Sequence, residues 1–328
     1  MNTFGTIFRI TIFGESHGLS IGICIDGCPP GLPLSESDFV ADLDRRRPGA
    51  RGTTTRHEDD SPEIVSGVYS GYTTGAPLTI LFANKNQRSG DYDHLRHRPR
   101  PGHADFVAAK RYRGFNDPRG GGHFSGRLTL ALVAAGVVAK KLLDGINISA
   151  SLIEAGGQSD IAAAVDAAMQ VGDSIGGLVE CRAQNIPLGW GEPFFNSVES
   201  VISHLAFAIP AIKGIGFGSG FEAARMKGSQ HNDAIISKDG KTATNNAGGI
   251  SGGLTNGNEL LFRVAVKPTS SITKQQHSLN IKSGKTEALE VKGRHDACIA
   301  LRVPVVVEAI TAIALADFKL QAKTMLSS

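Results

Sequence analysis

The stretch Leu128 to Ala139, LTLALVAAGVVA, is small and apolar on every face of the helix it would form. A helix without a polar face has to be buried on all sides. At twelve residues it is well short of the ~20 that a membrane span needs, so the burial must be within the protein. Its alanines and its glycine would let sheets approach closely from both sides. Val303 to Phe318 repeats the type, with the acid Glu308 inside it. Two such helices predict a layered fold with helices at its centre and sheets outside.

The flanking segments supply the sheets. Ile7 to Phe13 alternates and is rich in β-branched residues, which predicts a strand ending at Gly14. Ile21 to Asp26, Glu63 to Tyr69 and Pro77 to Phe82 read as further strands. Ser35 to Arg47 reads as a helix with Ser35 as N-cap and Asp38 near the capping-box position, stopped by Pro48-Gly49. A short surface helix is expected within 155–175, and fraying is expected after Lys319. Forty glycines in 328 residues exceed the typical ~7% and are spread through the strand segments, implying many tight turns.

A gap-free repeat links the halves. Gly67, Gly71, Thr73, Gly75, Leu78 and Lys85 recur at the same spacings as Gly249, Gly253, Thr255, Gly257, Leu260 and Lys267. Upstream, Ser20-Ile21-Gly22 recurs as Ser174-Ile175-Gly176. The expectation is one α+β domain over 1–328, with repeat halves of about 1–150 and 151–328 related by a pseudo-twofold.

A net charge of +3 and 6% aromatics argue against a nucleic-acid-binding protein, despite arginines clustered at 45–56 and 96–113. Cys24, Cys28, Cys181 and Cys298 show neither a CxxC pair nor zinc spacing, which predicts free thiols in a reducing compartment. No metal-ligand spacing occurs. The N-terminus, MNTFGTIFRITIFGESHG, lacks signal and transit character, so a cytoplasmic location is expected.

Affinity for anions must then come from local clustering, and 96–127 provides it: RHRPRPGHADFVAAKRYRGFNDPRGGGHFSGR. Arg100 and His103 flank a Pro-Gly turn, one a planar fork for carboxylate or phosphate, the other a proton carrier near neutral pH. Asp105 either orients His103 or caps a helix. Gly120-Gly121-Gly122, ahead of a helix, can form a backbone anion nest beside Arg119, Ser125 and Arg127. It is neither a P-loop nor a dinucleotide fingerprint. His17 lies in the turn GESHG (14–18) after a strand, free to donate to an anion, and Ser16 precedes it. Asn245 to Gly253 is another run where backbone must approach something closely. Lys267-Pro268-Thr269-Ser270-Ser271 suits a flavin or nucleotide phosphate, and Gly293-Arg294-His295-Asp296 leads into the second apolar helix.

Taken together, GESHG (14–18), DRRRPG (44–49), RPGHAD (100–105), RGGGHFSGR (119–127), DSIGG (173–177), GSQHND (228–233), NNAGGISGG (245–253), KPTSSI (267–272) and GRHDAC (293–298) resemble the chorismate synthases, in family order over nearly the whole chain. The resemblance implies a β-α-β sandwich, a homotetramer and an anti-1,4-elimination of phosphate from 5-enolpyruvylshikimate 3-phosphate. It also implies reduced FMN, although the reaction has no net redox change. By the same resemblance His17 protonates the leaving phosphate, His103 protonates reduced flavin and Asp296 assists proton removal at flavin N5. Ser16, Arg46, Arg51, Arg100, Ser125, Arg127 and Arg294 match substrate contacts. Arg46, Arg51, His123, Phe124, Ser125, Asn246, Ala247, Gly252, Lys267, Pro268, Thr269, Ser270, Ser271 and Arg294 match cofactor contacts, Arg46 and Arg51 being the positions associated with NADPH as reductant.

The chain departs from the commoner pattern in three places: His123-Phe124 stand where the family often has Arg-Ser, the arginine loop is one residue shorter, and Ala297 replaces a usual proline. The last is expected to loosen the Asp296 turn. No flavin-reductase segment is evident, so reduced FMN is expected from elsewhere. The enzymatic rival is an FMN-dependent oxidoreductase acting on an anionic substrate.

Overall fold

The computed structural model describes residues 2–55, 59–85, 97–291 and 295–326; Arg294 and Arg96 lie outside this set. The chain begins with β1 (Thr3–Phe4), β2 (Arg9–Gly14) and β3 (Ser20–Asp26), then α1 (Val40–Arg46), β4 (Glu63–Ser66), the ribbon β5 (Val68–Tyr69) and β6 (Tyr72–Thr73), and β7 (Leu78–Ala83). Next come α2 (Asp105–Arg111) and α3 (Thr129–Leu142). The second half holds β8 (Asn147–Ala155), α4 (Ile161–Gln170), β9 (Gly177–Gln184), α5 (Val198–Ala208), β10 (Ile212–Phe217) and α6 (Gly228–His231). It closes with the ribbon β11 (Ile250–Ser251) and β12 (Leu254–Thr255), β13 (Leu260–Val266), the hairpin β14 (Gln276–Asn280) and β15 (Lys285–Leu289), and α7 (Pro304–Leu326).

Among the described residues the two larger sheets, both antiparallel, are ordered β1-β2-β3-β7-β4 and β10-β13-β9-β8. The fold is α+β. Alternation explains which face each strand buries: Ile21, Ile23 and Ile25 of β3 are fully buried, as are Leu78, Ile80 and Phe82 of β7. The buried faces meet helices. α3 packs on β2 and β3, α7 packs on β8 and β9, and the two helices pack on each other. Every residue from Thr129 to Ala139 is buried, as an all-apolar helix requires. Gly136 sets the helix spacing, since a Cβ there would lie 2.4 Å from Ala309 Cβ.

α7 buries two acids, each with partners. Glu308 accepts from Arg45 (2.6 and 2.7 Å), Lys140 (2.9 Å) and the Ala150 amide (2.9 Å). Burial alone would raise its pKa, but Arg45 and Lys140 hold it below the ordinary value. Asp317 accepts the amides of Thr6, Ile7 and Phe8 at 2.7 to 2.9 Å, tying the C-terminal helix to the start of the chain.

Segments 67–85 and 249–267 fold alike. Gly67 (φ +89°) and Gly249 (φ +83°) each open a two-residue ribbon, and each segment then enters a core strand. Thr73 Oγ1 accepts the Leu32 amide at 2.9 Å and donates to Pro29 O at 2.7 Å. Thr255 Oγ1 does the same with the Trp190 amide and Pro187 O, at 2.9 and 2.7 Å. The upstream match does not hold in space: Ser20-Ile21-Gly22 lies in β3, whereas Ser174-Ile175-Gly176 precedes β9. Two boundaries also differ from expectation. Gly67 splits the expected strand 63–69, and α7 runs on to Leu326 rather than fraying after Lys319.

Candidate active site

Between the two halves lies a cavity of about 620 Å³. Its walls come from the end of α1, the 100–104 turn, the triglycine turn ahead of α3, the end of β13 and the segment leading into α7. The layered core therefore places the mouths of several loops at one point.

The triglycine turn is the pivot. Gly120, Gly121 and Gly122 have φ of +57°, +82° and +53°, values that side chains rarely tolerate. A Cβ on Gly120 would lie 2.5 Å from His17 Nε2 and 2.9 Å from Ser16 Oγ; one on Gly121 would lie 3.3 Å from His103 Cε1. Bare backbone thus threads between the two histidines. Ser16 and His17 are buried against the turn, and Ser16 N donates to Gly122 O at 3.1 Å. Ser16 Oγ is buried with no hydrogen-bond partner among the described residues. His123 braces the arrangement by donating from Nδ1 to Gly14 O at 2.8 Å.

His103 is oriented by Asp105, which accepts its Nδ1 proton at 2.6 Å. This decides between the two readings of Asp105, which also takes Arg100 Nε and Nη2, both at 2.8 Å. Burial would raise the Asp105 carboxyl, but these bonds hold it well below the usual carboxylate range. Arg100 Nη1 donates to Ser271 Oγ at 3.0 Å, and Lys267 Nζ to Gly102 O at 2.8 Å, so the end of β13 is fastened to the Arg100–His103 turn. Burial, then Lys213, pushes the Lys267 ammonium below its ordinary pKa. Thr269 Oγ1 is buried and unpartnered among the described residues.

The opposite wall carries Arg46, Arg127 and Arg302 against Asp60 and Asp296. Asp60, buried and with a positive φ of 46°, accepts from Arg127 at 2.7 Å and lies 3.5 Å from Arg46. Arg46 also donates to Thr129 Oγ1 (3.0 Å) and to the carbonyls of Gly126 and Arg127 (3.1 and 3.2 Å). Burial, then Arg302, pushes its guanidinium down to about 9, still cationic at neutral pH. Arg127 Nε donates to Asn84, but its Nη2 is buried with no partner among the described residues. Three arginines over two carboxylates, with an unmet donor, form a wall suited to an anion.

The family profile for chorismate synthase matches residues 8–320. The chain belongs to the chorismate synthase family. A chorismate synthase of Chitinophaga pinensis is 64% identical over 98% of this chain and 97% of the relative. One from Dehalococcoides mccartyi is 44% identical, with the same coverages. A crystal structure of chorismate synthase superposes with a TM-score of 0.75 at 28% identity, covering 97% of this chain and 93% of that one. The activity is accordingly that of a carbon–oxygen lyase forming chorismate by elimination of phosphate, and membership carries a flavin requirement.

Of the residues flagged in the sequence, Arg46, Arg100, His103, His123, Phe124, Ser125 and Arg127 line the cavity, as do Lys267 to Ser271 and Asp296. Ser16 and His17 stand behind Gly120. Arg51 does not join them; it is exposed and pairs with Asp166 at 2.5 Å. Asn246 and Ala247 are also elsewhere, their amides held by the Asp233 carboxylate at 2.8 Å, and Gly252 sits in the turn of the β11–β12 ribbon. Arg294 lies outside the described residues. At Ala297 the N–H, which a proline would lack, donates to Gly52 O at 2.8 Å. Asp60, Thr54 and Arg302 line the cavity and were missed. For Arg302 a signal existed, because a cation ahead of a helix N-terminus opposes the macrodipole and calls for a nearby acid.

Proposed function

We propose that this cavity binds 5-enolpyruvylshikimate 3-phosphate beside reduced FMN and eliminates phosphate with residues of three walls. One observation supports the reading above the rest: separate segments bring His103, Asp296, Arg127 and the Lys267–Ser271 strand end to a single cavity of about 620 Å³. The residues fit a flavin with a phosphate tail. Thr269 Oγ1 is an unmet buried donor, and Lys267, whose ammonium is held by Gly102 O and Ser270 Oγ, supplies a cation. Lys267 to Ser271, with Ser125 and Phe124, would hold it. Reduced FMN, when bound, supplies transient electron density that eases departure of the phosphate.

The chain's own residues do the rest. Arg127, Arg46 and Arg100 hold the substrate's anionic groups, and Ser16 Oγ offers a donor beside His17. His17, whose ring lies against Gly120, carries a proton at Nε2 and delivers it to the departing phosphate. His103 keeps its Nδ1 proton on Asp105, and its Nε2, 3.2 Å from Arg100 Nη2, is the nitrogen that transfers a proton. Asp296 presents a carboxylate that would assist proton removal at flavin N5. General acid–base groups of this kind contribute ~10²–10⁴-fold each.

NADPH enters the proposal as reductant of the FMN; of the two arginines associated with it, Arg46 lines the cavity and Arg51 is exposed and pairs with Asp166. We read the chain as one domain, a β-α-β sandwich of pseudo-twofold halves, working in the cytoplasm. Its assembly is a homotetramer. Phe194, Phe195 and Phe221, each more than 80% exposed, are suited to burial against further copies. Asn246, Ala247 and Gly252 are assigned to flavin only within that assembly.

The test is an anaerobic assay with reduced FMN and the enolpyruvyl phosphate. Chorismate and phosphate formed in equal amounts, with no NADPH consumed, is the expected result. Steady NADPH oxidation without phosphate release would instead identify an oxidoreductase.

A further inference from the structure

The 3₁₀ turn Ile299–Arg302 brings the chain to α7 just before Pro304, and Arg302 is its last residue. The helix N-terminus repels a cation there, and desolvation in a half-buried site adds to the cost. Arg302 is held by two partners that offset this. Its Nη1 lies 3.3 Å from Asp296 Oδ2 and 3.5 Å from Oδ1, and its Nε donates to the carbonyl of Arg46 at 3.0 Å. One planar fork therefore grips both the Asp296 carboxylate and the end of α1.

The Asp296 turn is also fastened from the other side. Thr54 N donates to Asp296 Oδ1 at 2.9 Å, and Gly52 O accepts the amides of Ala297 and Cys298 at 2.8 and 3.2 Å. These backbone contacts fix where the turn sits. The Thr54 amide also holds one carboxylate oxygen, Oδ1, and Arg302 Nη1, nearer to Oδ2, holds the other, so the rotation of the carboxylate is defined only with Arg302 in place.

We infer that Arg302 is a positioning residue, which aims the Asp296 carboxylate into the cavity and ties that aim to the arginine wall through Arg46. The inference rests on Asp296 having the role in proton removal proposed above. Arg302 itself forms no bond to a reacting atom. A misplacement of about 1 Å in a reacting group can cost ~10²-fold in rate, which sets the scale of the effect.

The experiment is a double-mutant cycle on the full-length enzyme, using Asp296→Asn, Arg302→Gln and the pair, with Arg302→Lys as a fourth variant. Chorismate formation gives kcat and KM, and thermal unfolding checks the fold of each protein. Arg302→Gln is expected to lower kcat by ~10²-fold with little change in substrate KM. In the Asp296→Asn background the same change should cost almost nothing, because its effect passes through the missing carboxylate. Arg302→Lys, which keeps the charge and loses the fork, should recover part of kcat, and it carries the test if the glutamine variant fails to fold.

A rise in KM at unchanged kcat would make Arg302 a substrate contact and overturn the inference. Losses that multiply in the double variant, or that track the melting temperature, would make it a structural brace and overturn it equally. Wild-type turnover in Asp296→Asn alone would remove the Asp296 assignment itself, and with it the positioning role. That result is separable from the case where Asp296→Asn is impaired and Arg302→Gln is not.

Discussion

Two single positions carry the site's most exacting geometry. At Gly120 the backbone is left-handed and a methyl group would meet the His17 ring at 2.5 Å. Gly120→Ala is expected to lower kcat by ~10²-fold by shifting that ring, while thermal unfolding shows the protein still folded; unchanged turnover would mean His17 needs no such placement. Asp105 makes a pH-dependent contribution. Its folded carboxyl is depressed below the ordinary 3.8, so the stability it gives is complete above that value and is lost as pH falls through the folded value. Asp105→Asn should cost about 3 kcal/mol at neutral pH. Denaturant titration should find the gap between wild type and variant closing below about pH 4. Asp105 was legible as a candidate because Arg100 and His103 are close to it in the chain, whereas Gly120 stood out only as part of a triglycine run, and its contact with His17 comes from the fold. Asp60 was not legible, as its meaning comes from Arg46 and Arg127, which only the fold brings to it.

For whole elements, legibility followed composition. LTLALVAAGVVA has one solution, complete burial, and α3 is buried throughout Thr129 to Ala139. The order of strands in each sheet could not be read, because alternation states which face is buried and not which neighbour is paired. The break at Gly67 was hidden for a related reason: a glycine within a strand pattern is compatible with either continuity or a kink. Contact between α3 and α7 depends on Gly136, and Gly136→Ala forces a methyl group onto Ala309. Overpacking of this kind costs about 1–3 kcal/mol, measurable as a lower denaturation midpoint with an unchanged slope. A variant as stable as wild type would show that the helices can move apart without cost.

Across the whole molecule, Asp317 joins the two ends of the chain by accepting three amides from Thr6 to Phe8. Asp317→Ala leaves those donors unmet and should destabilise the protein by about 3 kcal/mol. Hydrogen exchange at residues 6–8 should accelerate beyond that of the β3 core; equal protection would show that the first strands hold without the tether. The helix carrying Asp317 has a further consequence during synthesis. α7 lies against both α3 and the second sheet, yet it is synthesised long after α3. After α3 is made, about 160 residues still have to be translated, which takes roughly ten to thirty seconds at ~5–20 residues per second. For that interval the nascent chain carries a bare apolar helix face whose only proper cover has not yet been made. Chaperone demand, and the fate of prematurely terminated chains, are thus set by where one helix falls in the reading frame.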